Sequence, residues 1–239
     1  RAMVQYVSDT AAQAAHPPWW SPIEALDADA VLALQTARLQ AQYAYMRANS
    51  PFYRRKFATA GLGDGALRSI DDLQRVPFTT KQELRDSLKA APPFGEHLAA
   101  PLAEVIQMQA SSGTTGSPSY VALTRQDAAM WQESSARSLY ACGIRPGDRV
   151  LHGFSMSKGF VGGLPIFQAL QYMGAVDIPI GADGGVDRLL AAAFDLKPQA
   201  IVGTPNFLLH LAEAAQTQLG RDVRDIGVRR LVVGGEPGG

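Results

Sequence analysis

One cysteine, Cys142, occurs among 239 residues, so no disulfide can form within the chain, and this usage points to a reducing compartment. Long apolar runs are also missing. None approaches the ~20 residues that span a bilayer, and the first residues show no apolar signal core. Charge of one sign is missing too: 22 basic residues face 22 acidic ones, which removes the electrostatic case for nucleic acid or an anionic membrane. The four histidines, His16, His97, His152 and His210, are widely separated and no cysteine is spaced to join them, so no metal site is expected. His152 falls at a strand end and reads as structural rather than as a substrate contact. A nucleophile elbow of the G-x-S-x-G kind is absent, because Gly153-Phe154-Ser155-Met156-Ser157 lacks its second glycine. These absences make a soluble, cytoplasmic protein the expectation.

The most informative stretch present is Ser111-Ser112-Gly113-Thr114-Thr115-Gly116, followed by Ser117-Pro118. Glycine lets a ligand approach the backbone closely. Consecutive N–H groups in such a turn form an anion-binding concavity, and the hydroxyls add donors. Apolar residues precede it (Val105, Ile106, Met108) and follow it (Tyr120, Val121, Leu123). The local reading is strand, phosphate-holding loop, strand, with a flexible Gly/Ser/Thr linker as the competing one. It is not a Walker loop, since Ser117 stands where that motif has lysine.

Residues 1–100 read as a mainly helical segment. The expected helices are 23–49, with Val31, Leu34, Leu39, Tyr43 and Met46 recurring near the 3.6 period, then 52–60, and one started by the Thr80/Glu83 capping box and running through Lys89. Residues 101–239 alternate between strands and helices. Strands are expected at 104–109, 120–123, 149–154, 175–180, 200–203 and 228–233. Helices are expected at 126–142 (with Met130, Trp131 and Leu139 on its apolar side), 164–173, 186–196 and from an Asn206 cap to Leu219. The fold class is therefore α/β, a largely parallel sheet flanked by helices. Ligands in such sheets sit at the carboxyl ends of strands. The hydroxyl loop, residues 154–163, Thr204-Pro205 and residues 234–237 all follow strands, so four loops are expected to share one rim.

Several segments, in this order, are similar to the phenylacetate–coenzyme A ligase family of adenylate-forming enzymes: NSPFYRRKF at 49–57, LQRVPFTTK at 73–81, the hydroxyl loop, GIRPGD at 143–148, FVGG at 160–163, Thr204-Pro205 and GGEP at 234–237. The resemblance implies a two-step ligation. A carboxylic acid, aryl acids favoured, attacks the α-phosphate of MgATP to give acyl-AMP, and coenzyme A then displaces AMP. It also implies that Ser111, Ser112, Gly113, Thr114, Thr115 and Gly116 hold the ATP phosphates. Gly234, Gly235, Glu236 and Pro237 would lie along the adenine. Ser157, Lys158, Phe160, Gly162 and Gly163 would wall the acyl pocket. ATP, Mg²⁺ and coenzyme A are the implied co-substrates and ion, and a homodimer is allowed.

Three positions depart from the family pattern and leave the identity of the acid open. Ser117 replaces a lysine, Gln107 an arginine and Ser157 a tyrosine. Lys158 either pairs with a polar or acidic substituent of the substrate or is a solvated loop lysine. The family's magnesium-binding glutamate, hinge and C-terminal lid domain with its catalytic lysine match nothing before Gly239. The expectation is an incomplete large domain with no catalytic residue of its own, inactive alone. The competing expectation is a non-catalytic nucleotide-binding or interaction module.

Overall fold

The computed structural model describes residues 17–110, 120–157 and 162–237. The chain divides into two compact units, Ala25–Ala128 and a second formed by residues 17–24 and 129–237. The first strand begins at Val105, and helices alone precede it among the described residues. The compact units divide further along, inside a helix.

The first unit opens with α1 (Ala28–Asn49) and α2 (Pro51–Thr59). Asp27 caps α1 by accepting the Ala30 N–H at 2.8 Å. Ser50 serves both helices: its N–H donates to the Met46 carbonyl, while its hydroxyl oxygen accepts from the Tyr53 N–H and Pro51 occupies the first turn of α2. That joint is the expected break before proline. Tyr43, Phe57, Leu62 and Leu67 form the core here. The Thr80/Glu83 capping box forms in both directions and starts α3 (Lys81–Ala90). Glu83 also takes the Lys56 ammonium at 2.5 Å, joining α3 to α2.

Two strands, β1 (Val105–Ala110) and β2 (Tyr120–Thr124), then pair antiparallel as a sheet of their own. This corrects the reading of the strand before the hydroxyl loop as part of the parallel sheet; residues 111–119, and with them the expectation that the hydroxyl loop shares the rim, lie outside the described residues. The reason is topological: a parallel crossover needs a dozen or more residues, usually a helix, and the connection here is shorter.

After α4 (Arg125–Ala141), the second unit alternates regularly: β3 (Arg149–His152), α5 (Leu164–Tyr172), β4 (Val176–Ile178), α6 (Val186–Leu196), β5 (Ala200–Gly203), α7 (Pro205–Leu219) and β6 (Arg230–Val233). All four strands are parallel in the order β4-β3-β5-β6. Side chains alternate across the sheet. Leu151, Ile178 and Ile201 meet Leu189, Leu190, Phe194 and Leu211 of α6 and α7. Val150, Ala200 and Val202 meet Leu139, Tyr140, Ala169, Leu170 and Met173 on the other face. Covering both faces is what a parallel sheet requires. Trp20 closes the second face, stacked obliquely between Tyr140 and Tyr172 with its indole N–H on Glu133 at 2.9 Å. On α4, Leu139 is buried as expected, whereas Met130 is 65% exposed and does not belong to the apolar side.

Candidate functional site

The carboxyl ends of the four parallel strands carry residues 153–157, 179–185, 204–206 and 234–237. The first two loops are tied by backbone pairing that continues past the strands. The Gly181 N–H donates to the His152 carbonyl at 2.9 Å and the Ala182 N–H to the Phe154 carbonyl at 3.3 Å. Gly181 has φ +70°, a backbone conformation that glycine adopts without steric cost. The pairing delivers Asp183 to the side of the first loop. One carboxylate oxygen of Asp183 accepts the Ser155 hydroxyl at 2.7 Å, the Met156 N–H at 3.1 Å and the Ser157 N–H at 3.2 Å. The Ser155 hydroxyl, with smaller help from Ser157 and Met156, holds the Asp183 carboxyl below the usual range against the opposing effect of partial burial.

A third segment closes on the same loop. A Cβ placed on Gly163 would lie 2.1 Å from the Ser155 carbonyl oxygen, so only glycine allows that approach ahead of α5. At the strand end itself, Gly153 donates to the Val202 carbonyl at 2.7 Å, and a Cβ there would meet that same oxygen.

On the other side of the rim, the Gly234 N–H reaches the Gly203 carbonyl at 3.3 Å. The side of Gly234 where a Cβ would stand faces open space among the described residues. Glu236 accepts the Asn206 N–H at 2.7 Å. The expectation that Asn206 caps its helix is corrected here. Thr204 is the N-cap residue, without a side-chain cap bond, Pro205 occupies the first turn, and Glu236 from the following strand's loop supplies the acceptor. A carboxylate at that helix end is also favoured by the helix dipole.

Beneath the rim, His152 Nδ1 lies 3.2 Å from Asp177 on β4, both side chains almost fully buried. Full burial against Asp177 fits the structural reading of His152. Cys142 follows α4 half-buried, and burial pushes its thiol up. Among the described residues no group of three or more His, Cys, Asp or Glu side chains could hold a metal ion, and no helix is long and apolar enough to cross a membrane.

Of the sequence-derived site residues, Ser157, Gly162 and Gly163 lie on the rim side that follows β3, and Gly234, Gly235, Glu236 and Pro237 follow β6. Ser111, Ser112, Gly113, Thr114, Thr115, Gly116, Lys158 and Phe160 lie outside the described residues. Asp183 was missed by sequence reasoning. The available signal was an acidic residue inside a glycine-rich turn (Gly181-Ala182-Asp183-Gly184-Gly185) between a strand and a helix.

No family model matches the chain. It is 38% identical over 218 residues to the phenylacetate-coenzyme A ligase of Escherichia coli (strain K12), covering 90% of this chain and 48% of that protein. It is 36% identical over 215 residues to the enzyme of the same name from Thermus thermophilus, covering 90% and 46%. Among solved structures, 2-hydroxyisobutyryl-CoA ligase in complex with 2-HIB-AMP and CoA, in the thioesterification state, superposes with a TM-score of 0.87 at 32% identity, over 100% of this chain and 49% of that one. The chain spans about half the length of the curated relatives it matches.

Proposed function

We propose, from the chain's place in the phenylacetate–coenzyme A ligase family, that it is the nucleotide- and acyl-binding part of an ATP-dependent acid–coenzyme A ligase working through an acyl-adenylate. The observation that carries this reading is the shared carboxyl-end rim. The segment read as adenine-binding, residues 234–237, follows β6, and Ser157, Gly162 and Gly163, read as walling the acyl pocket, follow β3, two parallel strands of one sheet with β5 between them. That edge is where open α/β sheets hold ligands.

In this reading, the backbone at Gly234 and Gly235 receives the adenine, and residues 111–116 supply N–H and O–H donors to the phosphates. Such preorganised donors stabilise charge as it builds on phosphate oxygens. Mg²⁺ would neutralise part of that charge. The acid lies beside Ser157 and Gly163. Its carboxylate attacks the α-phosphorus, pyrophosphate leaves, and the coenzyme A thiolate then displaces AMP. The acid is a small carboxylic acid, aryl acids favoured, and the 239 residues alone are inactive. A homodimer and a cytoplasmic location complete the proposal.

The test is ATP–pyrophosphate exchange by the complete polypeptide in which this chain occurs, across aryl, aliphatic and 2-hydroxy acids. Exchange that depends on one acid supports the reading. Silence across the panel, from folded protein that still binds ATP, refutes it and leaves a nucleotide-binding module.

A further inference from the structure

Asp183 belongs to none of the segments that carry the family likeness, yet it organises the acyl side of the rim. It stands on the turn between β4 and α6, held by Gly181 at φ +70° and Gly185 at φ +90°. Its oxygen collects one hydroxyl and two backbone N–H donors from residues 155–157. The Ser157 hydroxyl joins the cluster 3.5 Å from that of Ser155. Gly163, from the segment leading into α5, presses on the Ser155 carbonyl from another direction. Two separate segments thus fix one short loop, and the polar centre of the arrangement is a single carboxylate.

We propose that Asp183 is a positioning residue for the acyl site: by clamping Ser155, Met156 and Ser157 it sets the shape of the wall against which the carboxylic acid packs, and so governs which acid is accepted. The inference rests on the ligase reading above. The clamp itself is a property of this chain and is measurable without activity. It holds the loop through hydrogen bonds to a charged acceptor, which are shorter and stronger than neutral ones. The carboxyl is held below the usual range, so the clamp stays closed at neutral pH. Misplacing a binding wall by about 1 Å costs on the order of tenfold to a hundredfold in the affected step.

The experiment compares the unsubstituted protein with Asp183→Ala and Asp183→Asn, using amide hydrogen exchange at Met156 and Ser157 and steady-state exchange kinetics in the complete polypeptide. Asp183→Ala is expected to lose protection at both amides and to raise KM for the acid about tenfold or more, while KM for ATP changes less than about threefold. Asp183→Asn keeps an acceptor oxygen and is expected to recover most of both. An Asp183→Ala protein with exposed amides but an unchanged KM for every acid overturns the specificity role. Unchanged amide protection overturns the clamp. Absence of acid-dependent exchange in the unsubstituted protein refutes the ligase reading, and the specificity role with it, while the amide protection still reports the clamp.

Discussion

The narrowest clearance in the site belongs to Gly163, and substituting alanine there tests the reasoning most severely. The added Cβ would stand 2.1 Å from the Ser155 carbonyl oxygen, 2.8 Å from its carbon and 2.9 Å from Met156 Cγ, where ordinary contact begins near 3.4 Å. Two of those three atoms are backbone, so no rotamer change relieves the clash. The loop and the start of α5 must part by about 1 Å, which is the scale of overpacking that costs about 1–3 kcal/mol. The same movement would stretch the 2.7–3.2 Å hydrogen bonds to Asp183 beyond useful length. For a chain of this size, a loss of that order lowers Tm by roughly 2–4 °C per kcal/mol. Thermal unfolding followed by circular dichroism, together with amide exchange at Met156 and Ser157, measures both effects. A Gly163→Ala protein that melts within about 1 °C of the parent with those amides still protected would refute the close approach.

Other outcomes follow from the first unit and from the parallel sheet. Thr80→Ala removes the cap of α3 and should destabilise by about 1 kcal/mol in urea titration, with Thr80→Ser restoring most of it. Glu83 is held down to about 2, first by the Lys56 ammonium and then by Thr80, from an ordinary 4.5. A depressed carboxyl contributes stability above its unfolded value and loses it as pH falls. Stability should therefore decline between about pH 4.5 and 2, and Glu83→Gln should flatten that stretch of the profile. Glu236→Ala should expose the Asn206 amide to exchange and cost about 0.5–1 kcal/mol, whereas Glu236→Gln, which keeps an acceptor, should retain protection. Leu170 of α5 is fully buried against the sheet, and Leu170→Ala should cost about 2–5 kcal/mol, well beyond any of the surface changes.

Local signals in the sequence carried the elements that local forces decide. The Thr80/Glu83 box, the Pro51 break and the end of α7 at Gly220 are backbone chemistry within four residues, and α6 and β5 fall on their expected bounds. Errors arose where a distant partner decides the outcome. Asn206 has the composition of a cap, but Glu236, 30 residues away, holds the helix end. Two strands with a hydroxyl loop between them read like part of the parallel sheet, yet without a crossover helix they pair antiparallel. The site shows the same division. Gly163, Gly234 and Glu236 were legible because the family likeness runs through them. Asp183 was not, since its role exists only after β3 and β4 are paired and their loops are brought side by side.

The order of strands also bears on how the molecule assembles. β3, first of the parallel strands in the chain, lies inside the sheet: Val150 pairs with Asp177 on one side and with Ala200 on the other. Ala200 in turn pairs with Arg230. Each pairing closes a loop that includes a whole helix, and the entropy of closure is met before the contact rewards it. Sheets built from such non-local pairs fold slowly, while units rich in local helical contacts fold fast. The contacts between α1 and α2 are local in the chain and can therefore form early, whereas the rim comes into being strand by strand. The Asp183 clamp becomes possible once β4 joins β3, and the Glu236 contact only after β6 docks. A nascent chain carries the Asp183 clamp well before it carries the Glu236 contact.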